Sequence, residues 1–422
     1  MTISAGGTAF GPGSATPSGP QSSPASAGPG APGGAAVAVH PSANGPGFVV
    51  ATVSGFSEPQ GEAYDATNGD LYVIDGGDSN VTVIDSSNDS LVATIAVGAQ
   101  PIGAAYDPAN ECVYVADAYS NNVTVLNASK GVTVASIGVG NFPTEVAYAD
   151  GVIEVVNDGG NNTTVIDPTT NQVTGSLPIG LGSLGEAYDP SNHDLFVTNS
   201  ESDNLTVRSL STGKVVANLG LSLWPEGIAY DPSNEQMYIA ETSSDNLTIV
   251  NASTDTITGS IDVGLGPGPV EFDGSNGYLY VGDQFGGDLT VVDPATGSAI
   301  DTVGVGDSPA ALAFDPEDGR LYSANALSDN MSVLDAAGQA PTLGSVSVTP
   351  TAITLAPGET SDLTASPVCP AGPCPNGTTF SWTMTSGLGS LNSTTGSEVS
   401  FLAATPGNVS LFVNATLAGL TV

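Results

Sequence analysis

The sequence predicts an all-β protein in which seven four-stranded sheets close into a ring, followed by a smaller β-sandwich. The first observation is that residues 224–264 contain four short apolar runs separated by turn residues. Within each run apolar residues alternate with small or polar ones, the period-two pattern of a half-buried strand. The second observation is that this unit recurs along the chain. The third is that the last unit is incomplete and its missing strand has a match near the N-terminus.

Two sequence markers repeat with one period. The aromatic residue that ends the first run of each unit recurs every 42 residues, with one interval of 40, at Tyr64, Tyr106, Tyr148, Tyr188, Tyr230, Phe272 and Phe314. The polar residue that opens the third run keeps step, at Asn80, Asn122, Asn162, Asn204, Asn246, Asp288 and Asn330. A repeated four-stranded unit of about 40 to 50 residues is typical of a propeller blade, because one small twisted sheet cannot bury both faces alone. Seven units therefore predict a seven-bladed β-propeller.

The ends of the repeat array predict how the ring closes. No convincing fourth strand follows Asp335, whereas residues 50–53 (Val-Ala-Thr-Val) match residues 92–95 (Val-Ala-Thr-Ile) of the first unit. We therefore expect residues 48–53 to pair with residues 330–335, which leaves only short, protected sheet edges. If the first strand of each blade lines the channel, the turns between second and third strands lie on one face, the upper face. The connections between blades share that face, and the Asp-Pro-Ser-Asn turns lie on the lower face.

The repeated motifs resemble those of a known family. The pattern is Pro-x-x-x-Ala-Tyr-Asp-Pro, Leu-Tyr-Val-x-Asn/Asp, Asn-x-Thr-Val-Ile-Asp and Val-x-x-Thr-Ile-x-Val-Gly, with its clearest copies of the second motif at residues 71–75, 113–117 and 279–283. It resembles the YVTN repeat of seven-bladed surface-layer and secreted propellers, over residues 47–335. The resemblance implies the fold and a cell-surface setting, but propellers host adhesion, binding and several unrelated chemistries.

Composition divides the chain into three parts. Residues 1–46 are rich in Gly, Pro, Ser and Ala and predict a flexible stalk or linker, the alternative being a segment that adds to a neighbouring subunit. Residues 47–338 form the predicted propeller. Residues 342–422 contain short strand-like runs near Val346, Ile353, Asp362, Phe380, Val399 and Val409 and resemble the immunoglobulin-like modules of bacterial surface proteins. Trp382 is expected to pack in their core rather than stack on a ligand, and the ending after residue 417 is typical of a hairpin cut short.

Charge excludes some classes of partner. The chain carries 4 basic and 43 acidic residues, for a net charge of -39. Such a polyanion repels nucleic acid and anionic lipid, so we expect neither as a partner. High salt, low external pH or bound divalent cations would each reduce the repulsion between these acidic groups. No apolar run long enough to span a membrane occurs, and no secretion leader is seen at residues 1–4. The context nevertheless indicates an extracellular protein, secreted or on the cell surface, and its leader would then have been removed.

Oxygen-bearing side chains recur where the second strand of each unit ends, at Asp75, Asp117, Asn157, Asn199, Glu241, Asp283 and Asn325. The first strands add Glu62, Glu145, Glu186, Glu226 and Glu271. Propeller geometry would place these groups near the upper mouth of the channel, where hard oxygen ligands suit calcium best. The candidate ligands are Glu62, Asp75, Asp117, Glu186, Glu241 and Asp283. The alternative is that these residues only end strands and open turns, since no compact Asp-x-Asp-x-Asp loop occurs.

Fourteen Asn-x-Ser/Thr sequons predict glycosylation, at Asn80, Asn88, Asn122, Asn127, Asn161, Asn162, Asn204, Asn246, Asn251, Asn330, Asn376, Asn392, Asn408 and Asn414. The alternative for the repeated position is chance, because a turn Asn followed by a strand Thr creates the same motif. Cys369 and Cys374 flank a turn with four residues between them, which favours a local disulfide over zinc binding. Cys112 stands alone and is expected to be a buried apolar residue rather than a nucleophile.

The sequence offers little acid-base chemistry. Its two histidines, His40 and His193, fall in the predicted stalk and in a lower-face turn, and no Gly-x-Ser-x-Gly joins a strand to a helix. We therefore expect a non-enzymatic surface-layer, coat or adhesion component that contacts other surface proteins or glycans, or assembles with itself into a coat or filament. The alternative is a secreted lactonase-like propeller hydrolase or lyase that holds a divalent ion through Glu62, Asn157, Asn199 and Asp283.

Overall fold

The computed structural model describes residues 47–336, 345–350, 355, 357–368, 379–384, 389–404, 411–417 and 420–421. Over these residues the chain consists of strands and turns with two short 3-10 helices, Ala128–Lys130 and Asp158–Gly160. None of the helices in this part is long and apolar enough to cross a membrane. The predictions for the stalk, His40, Ile353, Cys369, Cys374, Asn376, Val409 and Asn408 lie outside the described residues, as does the side chain of Asn414.

Residues 48–335 form seven four-stranded antiparallel sheets. The first sheet comprises β2 (Pro59–Asp65), β3 (Asp70–Asp75), β4 (Asn80–Asp85) and β5 (Ser90–Ala96). The second comprises β6 (Pro101–Asp107), β7 (Cys112–Asp117), β8 (Asn122–Asn127) and β9 (Val132–Gly138). The third comprises β10 (Pro143–Ala149), β11 (Val152–Asn157), β12 (Asn162–Asp167) and β13 (Gln172–Pro178). The fourth comprises β14 (Ser183–Asp189), β15 (Asp194–Asn199), β16 (Asn204–Ser209) and β17 (Lys214–Gly220).

The remaining sheets repeat the order. The fifth comprises β18 (Pro225–Asp231), β19 (Gln236–Glu241), β20 (Asn246–Asn251) and β21 (Thr256–Asp262). The sixth comprises β22 (Pro267–Asp273), β23 (Tyr278–Asp283), β24 (Asp288–Asp293) and β25 (Ser298–Gly304). The seventh comprises β26 (Pro309–Asp315), β27 (Arg320–Asn325), β28 (Asn330–Asp335) and, from the other end of the array, β1 (Phe48–Ser54).

The first strands of neighbouring sheets pack backbone against backbone. A Cβ atom added to Gly61 of β2 would lie 2.1 Å from the carbonyl oxygen of Ile102 in β6, and one added to Gly227 would lie 2.1 Å from that of Gly268. Only glycine permits so close an approach. Every first strand contacts the next around the array, and β26 contacts β2. The first strands therefore form the inner wall of a closed, propeller-like ring.

The ring closes without a covalent link. Strand β1 pairs antiparallel with β28, Phe48 opposite Asp335 and Val53 opposite Met331, so the prediction that residues 48–53 pair with residues 330–335 is confirmed. The junction between the seventh and first sheets adds polar contacts. Arg320 Nη1 donates to Asp89 Oδ1 at 2.9 Å, and the amide of Glu58 donates to Asp329 Oδ1 at 2.9 Å.

Hydrogen bonds place the turns between second and third strands beside the connections between sheets. The amide of Gly98, in the connection from β5 to β6, donates to Asp117 Oδ1 at the end of β7. The amide of Tyr119, in the β7–β8 turn, donates to the carbonyl of Ala99 at 3.1 Å. These two kinds of loop therefore share one face of the ring, the upper face. The turns after the first strands lie at the opposite ends of those strands, on the lower face.

Most lower-face turns contain the same hydrogen bond between an Asp side chain and the backbone. The carboxylate of the Asp that ends the first strand accepts a hydrogen bond from the amide two residues later, as in Asp65 and Thr67 at 2.8 Å. The same bond forms at Asp107, Asp189, Asp231, Asp273 and Asp315. Asp forms such turns readily because its side chain bonds to its own backbone two residues on.

The C-terminal residues form two further sheets. One joins β29 (Ser345–Thr349), β30 (Thr360–Val368), β33 (Glu398–Ala403) and β32 (Gly389–Leu391), and the other joins β31 (Thr379–Met384), β34 (Leu411–Leu417) and β35 (Leu420–Thr421). Trp382 is 2% exposed in their shared apolar core, beside Leu363 and Phe401. Its Nε1 donates to the carbonyl of Gly396 at 2.9 Å, as expected of a packing residue.

Candidate functional site

The seven residues that end the second strands are here called the strand-end set: Asp75, Asp117, Asn157, Asn199, Glu241, Asp283 and Asn325. All seven are buried. Each bonds to the Thr or Ser seven residues later, on the third strand of its own sheet. In the second sheet, for example, Thr124 Oγ1 donates to Asp117 Oδ2 at 2.6 Å.

Acidic and amide members of the strand-end set make equivalent contacts with opposite donor roles. Asn199 Nδ2 donates to Thr206 Oγ1 at 3.0 Å and its Oδ1 accepts from the Gly180 amide at 3.0 Å. The Gly98 amide donates to Asp117 in the same way, at 2.9 Å. Burial raises the pKa of Asp75 and of Asp117 to about 6, although hydrogen bonds from Thr82 and Thr124 oppose the shift. In the first, second, fourth and fifth sheets the strand-end residue therefore also holds the preceding connection, by accepting a hydrogen bond from a backbone amide of that connection.

The candidate calcium ligands do not gather at one point. Among the described residues, no three His, Cys, Asp or Glu side chains form a group that would hold a metal ion. Asp75, Asp117, Glu241 and Asp283 each belong to a different sheet and each bind their own Thr. Glu62 and Glu186, on the first strands, lie in two other environments. Calcium binding stays a prediction.

Glu186 belongs to a buried charged cluster between the third and fourth sheets. Arg208 Nη2 lies 2.6 Å from Glu154 Oε2, both side chains being almost fully buried, and Arg208 Nη1 donates to Thr163 Oγ1 at 2.9 Å. Burial raises the pKa of Glu186, and the charges of Glu154 and Glu145 raise it further. Sequence reasoning did not single out Glu154 and Arg208. An alignment of the repeats could have identified them, because they occupy positions that are aromatic or aliphatic in the other six sheets.

Glu226 lies in a third environment. Gln284 Nε2 donates to its Oε1 at 2.7 Å and Thr242 Oγ1 donates to its Oε2 at 3.0 Å. Burial nevertheless raises the pKa of Glu226 to about 7. This glutamate joins the fifth and sixth sheets through hydrogen bonds.

A cavity of about 480 Å³ lies among the first strands of the first, second, sixth and seventh sheets. Glu62 and Glu271 line it, together with alanines and with Tyr64, Tyr106 and Phe314. Burial raises the pKa of Glu62 well above its ordinary value, and the nearby charge of Glu271 raises it further. The sequence predicted glutamates in the channel, but not that these two share a cavity.

Exposed apolar side chains occupy the upper face. We call them the apolar face set: Tyr119, Leu181, Leu223, Trp224, Leu265, Phe285 and Leu327. Their exposed fractions run from 37% for Trp224 to 74% for Phe285. Tyr119 also packs on Phe142 of the neighbouring connection, with ring centroids 5.7 Å apart. The sequence analysis did not identify this set. The feature that could have identified it is a large apolar residue inside a turn or connection that otherwise consists of Asp, Asn, Ser and Gly.

The repeated sequon asparagines take part in the upper-face turns. Asn122 Nδ2, the atom a glycan would occupy, donates to Asp117 and to Ser136 at 2.9 and 2.8 Å. Asn162, Asn204 and Asn330 accept hydrogen bonds from the strand-end amides, and Asn246 donates to the carbonyl of Ser244. Asn80, Asn127 and Asn251 are half-buried, whereas Asn88, Asn161 and Asn392 are exposed. Glycosylation stays a prediction.

Cys112 opens β7 and is buried, with 8% of its surface exposed. Among the described residues it is a free thiol, and burial raises its pKa. The thiolate is the reactive form of cysteine, so this position favours a packing role over a nucleophilic one.

The chain is similar in structure to a chain of the solved Kuenenia stuttgartiensis hydrazine synthase, with a TM-score of 0.60 and 18% sequence identity. The match covers 67% of this chain and 96% of that chain. No protein-family model and no curated protein matches the sequence. A likeness at this identity supports a shared fold alone, so function has to be argued from the surfaces and cavities of this chain.

Proposed function

We propose that this chain is a non-enzymatic extracellular protein, a component of a surface layer, coat or adhesion structure, that binds protein partners through the apolar face set. In this proposal the ring is a seven-bladed propeller of the YVTN type, and the C-terminal sheets are an immunoglobulin-like spacer. The observation that carries the proposal is the gathering of large exposed apolar side chains on one face of the ring.

The apolar face set has the composition of a contact surface. Tyr, Trp and Phe are enriched at protein interfaces, and grouped exposed apolar residues mark sites of association. These side chains stand on turns and connections outside the sheets, and Tyr119, Phe285 and Leu327 each leave most of their surface exposed. Backbone hydrogen bonds hold those loops in place, as between Phe285 and Leu265 at 3.1 Å and between Leu327 and Asp307 at 3.2 Å. A rigid scaffold that presents its contacts on loops suits a binding module.

The polar side chains of the channel mouth support a structural role for that region. Asn157, Asn199 and Asp283, from which a lactonase-like site would draw ligands, bind Thr164, Thr206 and Thr290 within their own sheets. We therefore favour a binding protein over a hydrolase.

The proposal is tested by sedimentation velocity of the protein alone and by its binding to cell-envelope fragments. We expect the triple variant Tyr119→Ser, Phe285→Ser and Leu327→Ser to weaken self-association or envelope binding at least about tenfold, since each loses exposed apolar contact area.

The matched control replaces exposed valines of the outer rim, Val132→Ser, Val173→Ser and Val216→Ser, which stand on the fourth strands. We expect this variant to associate like the parent protein. If the rim variant loses association while the face variant keeps it, the apolar face set is not the contact surface. A lactone hydrolysis that requires divalent metal and is lost in Glu62→Gln or Asp283→Asn would contradict the non-enzymatic proposal itself.

A further inference from the structure

The cavity among β2, β6, β22 and β26 lies apart from the apolar face set. Its lining runs from exposed turn residues, including Ala66, Ser275 and Pro316, to the buried carboxylates of Glu62 and Glu271. Those turns follow the first strands, so the cavity opens on the lower face and its carboxylates lie at its inner end.

The walls of the cavity are apolar and aromatic. The small side chains of Ala63, Ala105 and Ala313 leave the volume unfilled, while Tyr64, Tyr106 and Phe314 border it half-buried. Aromatic ring faces are electronegative and attract cations, most strongly where water is excluded. The walls therefore suit a ligand that carries both a positive charge and apolar groups.

Glu62 points to the charge of that ligand. The residue is 5% exposed, and neither carboxylate oxygen makes a hydrogen bond of normal distance and angle within the described part of the chain. The backbone amide of Ala313 favours its charged form, while burial and the charge of Glu271 disfavour it. A buried carboxylate is costly unless a cation or hydrogen-bond donors accompany it. Burial and the charge of Glu271 therefore favour the protonated form of Glu62, whereas a cation bound in the cavity would favour the carboxylate.

The chemical groups that line the cavity fit an organic cation better than a metal ion. Calcium takes six to eight oxygen ligands, whereas this lining offers two carboxylates set among alanine and aromatic carbon. An alkylated ammonium ion matches both features, because its alkyl groups contact the walls while its charge faces the carboxylates. The net charge of -39 also raises the local concentration of cations.

We propose that this cavity binds a small organic ammonium ion, with Glu62 as the counter-ion and Tyr64, Tyr106 and Phe314 as the aromatic wall. This site is independent of the proposed contact surface on the upper face, so either proposal can fail while the other stands.

Isothermal titration calorimetry of the full chain tests the proposal, with choline as the probe. The first comparison is the neutral alcohol in which carbon replaces the nitrogen of choline. We expect choline to bind at least about tenfold more tightly than this isostere, because only choline gains the cation–π and carboxylate interactions. Calcium chloride should compete no better than sodium chloride of equal ionic strength. Equal binding of alcohol and choline, or specific displacement by calcium, would overturn the proposal.

Variants locate the site. We expect Glu62→Gln and Tyr106→Leu each to weaken choline binding about tenfold or more. Their matched controls, Glu145→Gln and Tyr148→Leu, alter a buried glutamate and the equivalent aromatic of the third sheet, neither of which lines the cavity. We expect both controls to bind choline like the parent chain. Thermal unfolding of each variant shows whether it folds. If Glu62→Gln does not fold, Tyr106→Leu still tests the site, because Tyr106 is half-exposed and its replacement should be tolerated. Unchanged binding in both site variants, or equal loss in the controls, would refute the site.

Discussion

At the scale of single residues, two departures from the repeat compensate each other. The third residue of the second strand is a buried aromatic in six sheets, namely Tyr72, Tyr114, Phe196, Tyr238, Tyr280 and Tyr322. In the third sheet it is Glu154. Arg208 of the fourth sheet replaces the aliphatic residue found at its position elsewhere, and the two charged groups form one buried ion pair. Removing one partner of such a pair leaves an uncompensated buried charge, whereas removing both does not.

We therefore expect Arg208→Leu to lower the free energy of unfolding by about 3–5 kcal/mol. The double variant Glu154→Phe with Arg208→Leu restores the apolar pattern of the other sheets and should unfold at or above the urea midpoint of the parent protein. Equilibrium urea unfolding of the parent, the single variant and the double variant measures this. A double variant as unstable as Arg208→Leu would show that the pair has a role beyond mutual neutralisation, through Glu186 or Thr163.

The glutamates of the first strands show where residue-level prediction stopped. Their presence in the inner wall followed from the repeat, but Glu226, Glu145, Glu62 and Glu271 occupy the second, third, fourth and fifth positions of their strands. Side chains alternate between the two sides of a strand, so residues at these four positions do not all share one space. Glu62 and Glu271 line the same cavity, whereas Glu145 and Glu226 lie outside its lining. Glutamates at such different positions along their strands do not form a single ring of metal ligands.

At the scale of elements, the strands and turns were predictable because period-two patterns and Asp or Asn turns repeat seven times. The register within each sheet was not. Each pairing of first with second strand, and of third with outermost strand, contains an irregularity, for example between Pro59 and Gly61 and between Val83 and Ile84. Bulges of this kind depend on how neighbouring sheets pack, which a single-strand pattern does not contain.

Strand β1 differs from the other outermost strands, since it joins the two ends of the array. Val53 packs against Met331 and Val333 of the seventh sheet, and Ile95 holds the equivalent place in the first sheet. A charge at Val53 should therefore release the closing strand and open the ring, whereas a charge at Ile95 should loosen one sheet whose strands are contiguous in sequence.

We expect Val53→Asp to lower the melting temperature more than Ile95→Asp does, because both bury an unpaired carboxylate but only the former frees a ring-closing contact. Hydrogen exchange measured by mass spectrometry should show faster exchange in Asn330–Asp335 for the Val53 variant. Equal losses of stability and unchanged exchange in that strand would mean that the ring does not depend on β1 for its closure.

At the scale of the whole molecule, carboxyl groups buried inside the ring add to the effect of the acidic surface on stability. Burial raises the pKa of Asp75 and Asp117 to about 6 and that of Glu226 to about 7, and it also raises the pKa of Glu62, Glu145 and Glu186. The exposed carboxylates of Asp85 and Asp167 shift the other way, because hydrogen bonds from Ser87 and Thr169 lower their pKa. The buried carboxyl groups therefore favour the folded chain most when they are protonated.

The sign of the pH dependence follows from these shifts. A carboxyl group whose pKa is higher in the folded chain than in the unfolded one favours folding when protonated. Its contribution is complete below the unfolded pKa of about 4 and is lost as the pH rises through the folded value. We therefore expect the highest melting temperature at about pH 4 to 5, with a fall that has begun by about pH 6 and continues toward about pH 8. Below that range, protonation of Asp85 and Asp167 should lower stability again.

Glu226 tests whether the buried groups cause this fall. Its shift to a pKa of about 7 corresponds to a loss on the order of 3 kcal/mol between pH 5 and pH 8. Glu226→Gln cannot ionise, so its melting temperature should fall less steeply over that range than that of the parent protein. Measurements in high salt remove most of the long-range repulsion that accompanies a net charge of -39. If high salt abolishes the pH dependence, or if Glu226→Gln leaves it unchanged, the higher stability at acid pH comes from surface charges rather than from carboxyl groups of the inner wall.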